Sequence, residues 1–204
     1  MKPFRVFAVV ALALIVVGTA SAQSNFNWVA KSSAGAQTTV LPPDLQKVNY
    51  FSNAHTAGAP DGTVEITNPG SPAGNLCAQI YVFDAFQELS ECCACEVTPN
   101  GLRTLSVNTD LTSNPATGVT LSRGEVSIVS GIVPPSGVCN PLNYITSPTI
   151  RAWGTHIQNG NFAVTETEYS ERQLGAYNDN LLLDCFAIAI TGSGHGVCSC
   201  GSGD

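Results

Sequence analysis

The chain has 204 residues, of which 44% are hydrophobic and only 11% charged, and its formal net charge is −7. Eight basic residues against 15 acidic ones provide no positive surface, which argues against nucleic acid and anionic membranes as partners. Eight cysteines favour an oxidising compartment.

The first predicted element is an export signal over residues 1–22. Lys2 and Arg5 precede an unbroken apolar run over 6–17, and 19–22 ends in the small-x-small pattern that signal peptidase accepts. The apolar run is shorter than the roughly 20 residues that a membrane-spanning helix needs. We therefore expect cleavage after Ala22 and a secreted or periplasmic product that is not embedded in a membrane. Losing two basic residues leaves six against 15 acidic ones, a formal charge of −9.

Residues 23–60 are predicted to form an extended lead-in, with an edge strand as an option, because they are poor in charge and contain Pro42-Pro43. From 61 to 204 the pattern is that of one β domain. Alternating polarity over Thr63–Thr67 indicates a half-buried strand. The run Leu76–Asp84 is apolar on both faces and predicts a central strand.

Turn signals and apolar runs predict further strands along the chain. They cover 102–108, 124–133, 149–157, 161–169 and 181–190. The strands over 149–157 and 161–169 are predicted to form a hairpin around Asn159-Gly160. Roughly seven strands without a convincing amphipathic helix indicate an all-β fold, a single antiparallel β-sandwich of the immunoglobulin-like or Greek-key type.

The cysteines are the most informative residues of the chain. They are Cys77, Cys92, Cys93, Cys95, Cys139, Cys185, Cys198 and Cys200. In an exported chain such a set most simply forms disulfides that staple the sandwich together. The simplest of many pairings joins Cys77 to one of the cysteines in 92–95, joins the other two to Cys198 and Cys200, and pairs Cys139 with Cys185. The other pairings stay open.

A metal site is the alternative use of the same clusters. Cys92, Cys95, Cys198 and Cys200, together with His195, are ligands that would suit zinc or Cu(I). Common zinc sites, however, use cysteine pairs separated by two to four residues, and thiols oxidise outside the cell. We therefore expect no cofactor and no metal, and keep metal binding as an alternative.

No residue pattern in the chain indicates catalysis. Glu166 and Glu168 fall on one face of a predicted strand, as the two carboxylates of a glycosidase can. Their alternation with threonine is more typical of a solvated strand face. We therefore predict no catalytic residue and a protein that is not an enzyme.

A binding role through aromatic side chains is a further alternative. Six aromatic residues are candidates for a sugar-binding platform: Trp28, Tyr50, Phe51, Trp153, Tyr169 and Tyr177. Trp153 or neighbouring tyrosine side chains are the expected sugar-binding residues among them. The leading prediction is a secreted, non-enzymatic structural or adhesive β-sandwich module with an unknown ligand. Carbohydrate binding and metal binding are its alternatives, and cell-envelope components or polysaccharide are the partners that fit.

One stretch of the chain carries a distinctive pattern. It comprises LCAQIYVFD at 76–84, QEL at 87–89, ECCAC at 91–95 and VTPNGL at 97–102. This pattern, about a quarter of the chain after the signal, resembles one found in uncharacterised exported cysteine-rich proteins of soil bacteria of the acidobacterial type. No activity is known for those proteins. The resemblance therefore implies a compartment and a shared cysteine-bearing core, and it assigns no catalytic or binding residue.

Overall fold

The computed structural model describes residues 45–70, 74–133, 135, 137–141, 145–175, 178–191 and 194–201. These residues belong to one compact unit over 40–204. The predicted signal peptide with its cleavage point at Ala22, and the lead-in before residue 45, lie outside the described residues. Within the described part of the chain, no helix has both the length and the apolar character needed to cross a bilayer.

Two antiparallel sheets pack face to face, which confirms the predicted sandwich. The larger sheet has the order β10 (Ser170–Arg172), β1 (Gln46–Ser52), β6 (Arg123–Ile132), β3 (Leu76–Asp84) and β4 (Leu89–Val97), and β7 (Ile145–Thr146) pairs with the end of β6. The smaller sheet has the order β5 (Leu102–Ser106), β2 (Thr63–Thr67), β8 (Arg151–Ile157) and β9 (Val164–Glu168).

Strand β3 explains how the core is organised. Its residues Leu76, Ala78, Ile80 and Val82 belong to the cluster between the two sheets. Tyr81, on the opposite face of the strand, belongs to a second cluster on the outer side of the larger sheet. Because successive side chains of a strand point to opposite faces, a strand that is apolar at both sets of positions must be covered on both sides.

The outer side of the larger sheet is covered by a helix where the sequence predicted a strand. Helix α1 spans Asn178–Ile190, and its Leu181, Cys185 and Ile188 pack in the outer cluster with Tyr81. Spacings of four and three residues place these side chains on one helical face. The prediction of a strand over 181–190 is wrong because apolar residues on the exposed face, such as Leu183, hide this period.

Two other segments differ from their predictions. The strand predicted over 102–108 ends at Ser106, because a π-helical turn over Val107–Leu111 follows it. The Ser106 hydroxyl caps this turn by accepting a hydrogen bond from the Thr109 N–H at 2.8 Å. Strand β1 lies in the segment suggested as lead-in, but it is not an edge strand, since it pairs with β6 on one side and β10 on the other.

All eight cysteines form disulfides: Cys77–Cys139, Cys92–Cys185, Cys93–Cys198 and Cys95–Cys200. The use of all eight cysteines in disulfides, and the bonds from the cysteines at 92–95 to Cys198 and Cys200, are as expected. The expected bond from Cys77 to the cluster and the pair Cys139–Cys185 are wrong. Cys93 and Cys95 point into the core, away from Cys77. Cys92 is on the same face as Cys77, but Cys77 lies opposite Glu96 in the register of β3 and β4, which puts it about 13 Å along the strand from Cys92, too far for a bridge.

Candidate functional site

A hollow of about 690 Å³ lies at one end of the larger sheet, where β1, β3 and β6 meet. Aromatic and polar side chains line it together, which is the usual character of a ligand site. We call it the Tyr50 hollow and define it by Tyr50, Phe83, Asp84, Arg123, Glu125 and Asn159. The pairing of β1 with β6 and of β6 with β3 brings these residues together, except for Asn159, which lies in the turn between β8 and β9.

A glycine in β6 forms the floor of the Tyr50 hollow. Gly124 lies opposite Phe51 on one side and Asp84 on the other. A Cβ atom at this position would collide with the carbonyl oxygen of Phe83 and stand 2.8 Å from ring atoms of Phe51. Glycine is therefore required here by the close approach of the neighbouring strands.

Tyr50 presents the most accessible aromatic ring of the hollow. Its side chain is 56% exposed, and its ring stacks on the imidazole of His156 with 4.0 Å between centroids and 25° between planes. His156 is only 3% exposed, and its Nε2 lies 2.6 Å from the Thr167 hydroxyl. The buried imidazole thus holds one face of the tyrosine ring and leaves the rest of the ring for a ligand.

The charge state of His156 follows from its burial. Desolvation lowers the pKa of the imidazole, against a smaller opposing effect of a hydrogen bond with the Tyr50 backbone. Because its ordinary pKa is 6.5, the ring is mainly neutral at neutral pH. The stack with Tyr50 is therefore a contact between two uncharged rings, and it does not depend on salt.

The polar groups of the hollow include both donors and acceptors. Glu125 lies opposite Tyr50 in the β1–β6 register, and burial raises the pKa of its carboxyl, although the nearby Arg172 opposes the shift. Oδ1 of Asp84 accepts hydrogen bonds from the Phe86 and Glu88 N–H groups at 2.8 and 2.9 Å. This Asp84 carboxylate orders the turn at the rim of the hollow.

A second hollow adjoins the first and shares two of its residues. It has about 470 Å³ and is lined by Tyr50 and Glu125 together with His156, Thr165 and Arg172. Tyr50 and Glu125 therefore line both hollows.

The structure separates the other aromatic candidates from Tyr50. Phe51 and Tyr169 are buried in the core, and Trp28 and Tyr177 lie outside the described residues. Trp153 is half-buried and lines a different hollow, with Glu65 and Glu166. The sequence favoured Trp153 or neighbouring tyrosines and did not single out Tyr50. Neither alternate set of residues over 46–52 is consistently apolar, so the sequence holds no signal that separates Tyr50 from the other aromatic candidates.

The carboxylates considered for hydrolysis do not meet in one site. Glu166 and Glu168 are both exposed. Glu168 forms an ion pair with Arg151 at 3.6 Å and lines the second hollow, whereas Glu166 lines the hollow of Trp153. The two carboxylates lie two residues apart on the same face of β9, as predicted, and they line different hollows.

The residues considered for metal binding divide between two sides of the larger sheet. Cys95, Cys198 and Cys200 lie in the core between the sheets, together with Cys93. Cys92 lies in the outer cluster under α1. His195 is exposed and is not in the group of sulfurs formed by Cys93, Cys95 and Cys200, whose Sγ atoms lie within 4.8 Å of one another.

No protein-family model matches the chain, and no curated protein or solved structure shows significant similarity to it. The candidate site is therefore interpreted from its own geometry. The kinship with exported proteins of soil bacteria stays a prediction.

Proposed function

We propose that this protein is a secreted, non-enzymatic adhesive β-sandwich module that binds polysaccharide through the Tyr50 hollow. The observation that carries the proposal is the exposed ring of Tyr50, fixed by its stack on buried His156. Four disulfides in a two-sheet fold support a location outside the cytoplasm and a rigid scaffold.

The chemistry of the hollow suits a sugar. A sugar ring has an apolar C–H face, which packs on aromatic rings, and a rim of hydroxyls, which need both donors and acceptors. Tyr50 provides the aromatic face, while Arg123 and Asn159 offer donors and Glu125 offers an acceptor. A volume of about 690 Å³ lies within the range of ligand sites.

The charges around the hollow favour a neutral sugar. Glu125 and Asp84 are acidic, whereas Arg123 and Arg172 are basic, so the two signs balance locally. The chain as a whole is acidic, which disfavours polyanionic polysaccharides. We therefore expect neutral polysaccharides of the cell envelope or its surroundings as the partners.

Binding to a set of immobilised neutral polysaccharides tests the proposal. Tyr50→Ala should weaken binding by on the order of tenfold or more, since a tenfold change corresponds to about 1.4 kcal/mol and aromatic contacts have this magnitude. Trp153→Ala is the matched control and should bind like the parent protein. Equal loss in both variants would contradict the Tyr50 hollow as the binding site, and no binding by the parent protein to any polysaccharide would remove the sugar ligand and leave a structural module.

The proposed lack of catalysis is tested by a separate measurement. Glu125 has a raised pKa and shares the hollow with Asp84, so hydrolysis of a bound polysaccharide is the rival activity. We expect no release of reducing ends during prolonged incubation with any polysaccharide that binds. Release that disappears in Glu125→Gln would contradict the proposal while leaving the sugar site in place.

A further inference from the structure

We infer that Cys93, Cys95, Cys198 and Cys200 form a tetrahedral thiolate site for a d¹⁰ metal ion such as Zn²⁺ once their two disulfides are reduced. The site lies between the sheets, away from the Tyr50 hollow, and it does not depend on the sugar proposal. It differs from the ligand set suggested by the sequence, because Cys93 replaces Cys92 and His195 takes no part.

The positions of the sulfur atoms carry this inference. Cys93 and Cys95 point to the same side of β4, and their Sγ atoms are 4.0 Å apart although they are not bonded to each other. A zinc ion with Zn–S distances of about 2.3 Å has its sulfur ligands about 3.8 Å apart. The two cysteines of β4 are thus already at the spacing of two corners of a zinc site.

The C-terminal tail, residues 194–201, supplies the other two sulfurs. The Sγ of Cys200 lies within 4.8 Å of those of Cys93 and Cys95, and the Sγ of Cys198, bonded to that of Cys93, moves into the fourth position once this bond is reduced. The tail runs parallel to β4: the Cys92 N–H donates to the Gly196 carbonyl at 2.9 Å, and the Cys198 N–H donates to the Cys92 carbonyl at 3.2 Å. Arg103 of β5 donates through Nη1 to the Cys200 carbonyl at 2.6 Å. These hydrogen bonds hold the tail independently of the disulfides, so its two cysteines stay beside β4 after reduction.

The surroundings of the four sulfurs suit a closed structural metal site. Cys93, Cys95 and Cys198 are buried in the core cluster, and Cys200 is partly buried. The Cys200 sulfur lies 3.3 Å from the Ala94 carbonyl. The guanidinium of Arg103 contacts the same loop and offsets part of the negative charge that four thiolates leave around one divalent ion.

Reduction of the two disulfides and binding of the metal ion are separate steps. An external dithiol reduces each disulfide with two electrons and two protons, and it becomes a disulfide itself, so two dithiols convert the two bridges to four thiols. A divalent ion then replaces up to four thiol protons and forms four metal–sulfur bonds. An external disulfide for each bridge accepts two electrons, with protons from water, and becomes a dithiol; the two protein disulfides then form again, the four metal–sulfur bonds break and the ion is released.

The test uses the full chain with a phosphine reductant in the absence of oxygen, titrated with Zn²⁺ or Cd²⁺. Binding is followed by native mass spectrometry and by the ultraviolet thiolate-to-cadmium absorption. We expect one tightly bound ion per chain. Cys93→Ser/Cys198→Ser should weaken binding by a factor on the order of 100 or more, because two of four ligands are lost. Cys92→Ser/Cys185→Ser, which removes two sulfurs on the opposite face, should bind like the parent.

Three results would overturn the inference. The first is a reduced parent chain that binds no ion, and the second is equal loss of affinity in both double variants. The third concerns folding: if reduction alone unfolds the chain, Zn²⁺ must restore the β-sheet circular dichroism in the parent and in Cys92→Ser/Cys185→Ser. Failure to restore it there counts against the site.

Discussion

Cys92 and Cys93 are neighbours in β4, yet their disulfides lead to opposite faces of the larger sheet. Cys92 bonds to Cys185 of α1 on the outer face, and Cys93 bonds to Cys198 of the tail in the core. The alternation of side chains along a strand produces this divergence. One strand therefore anchors both the helix and the tail.

The four bridges should contribute unequally to stability. Replacing Cys93 and Cys198 by alanine leaves Cys95–Cys200 in place. Only a short loop of a few residues is therefore released from cross-linking in the unfolded chain. Removing Cys92–Cys185 frees the 12 residues between Cys185 and Cys198. On the chain-entropy model, the free energy of unfolding falls by about 2 kcal/mol without Cys93–Cys198 and by about 3 kcal/mol without Cys92–Cys185.

Urea unfolding without reductant measures this difference. We expect the free energy of unfolding of Cys92→Ala/Cys185→Ala to be about 1 kcal/mol lower than that of Cys93→Ala/Cys198→Ala. The reverse order would mean that packing around the paired bridges outweighs loop entropy.

Gly124→Ala should disrupt the floor of the Tyr50 hollow. The new methyl group collides with the Phe83 carbonyl and the Phe51 ring, and forced overpacking of this kind costs about 1–3 kcal/mol. Gly175→Ala is the matched control, because a Cβ there meets nothing within 4 Å, and it should change stability by less than about 0.5 kcal/mol. Thermal or urea unfolding compares the two variants, and equal stabilities would show that β3 and β1 move apart freely.

Glu91 should make the protein less stable as the pH rises. Its carboxyl is buried, and desolvation raises its pKa from 4.5 to about 7, against a smaller opposing effect of the hydrogen bond from the Asn114 N–H. A raised carboxyl pKa means that the folded state binds the proton more tightly. This contribution to stability is therefore present below pH 4.5 and is lost as the pH rises to about 7.

Unfolding titrations across that pH window check the prediction. At about 1.4 kcal/mol per unit, the shift sets an upper limit of about 3 kcal/mol, which solvent screening reduces. Glu91→Gln should flatten the slope. Glu125→Gln is the control for the other carboxyl whose pKa is raised. If the slope disappears only in Glu125→Gln, then Glu125 rather than Glu91 causes the pH dependence.

The ion pair of Lys47 with Glu171 should matter far more than that of Arg151 with the same carboxylate. The Lys47 side chain is 2% exposed and its Nζ lies 2.7 Å from Glu171 Oε1, whereas Arg151 is 52% exposed. Glu171→Ala removes this carboxylate from a buried ammonium group, which costs about 3–5 kcal/mol. Arg151→Ala breaks a surface pair worth about 1 kcal/mol or less.

Chemical denaturation of both variants gives the comparison. Similar losses for Glu171→Ala and Arg151→Ala would show that Lys47 reaches water once its partner is removed.

Local patterns were sufficient to predict some strands but not others. Strands β2 and β3 were predicted at their observed bounds, because alternating polarity and a two-sided apolar run are properties of a few adjacent residues. Helix α1 was missed because its buried positions Leu181, Cys185 and Ile188 lie within an almost continuous apolar run. Periodicity alone does not separate a short helix from a strand in such a run.

The candidate site depends on contacts that local patterns do not contain. Tyr50 and Glu125 become neighbours only through the pairing of β1 with β6, strands far apart in the chain. The partner of Cys77 likewise depends on the register of β3 against β4. The disulfides from the cysteines at 92–95 to Cys198 and Cys200 were predictable from the sequence. Each segment contains a Cys-x-Cys pair, and two such pairs match in spacing when their segments run side by side.

The tail along β4 has a consequence for self-association. Strand β4 is the last strand of the larger sheet, and an open strand of this kind offers unpaired amide and carbonyl groups to other molecules. Val197 forms a parallel β-bridge with Cys92 and thereby covers part of this row of backbone groups. The tail thus shields part of this open edge against strand addition by other molecules, and its backbone hydrogen bonds to Cys92 maintain that shield even when its two disulfides are reduced.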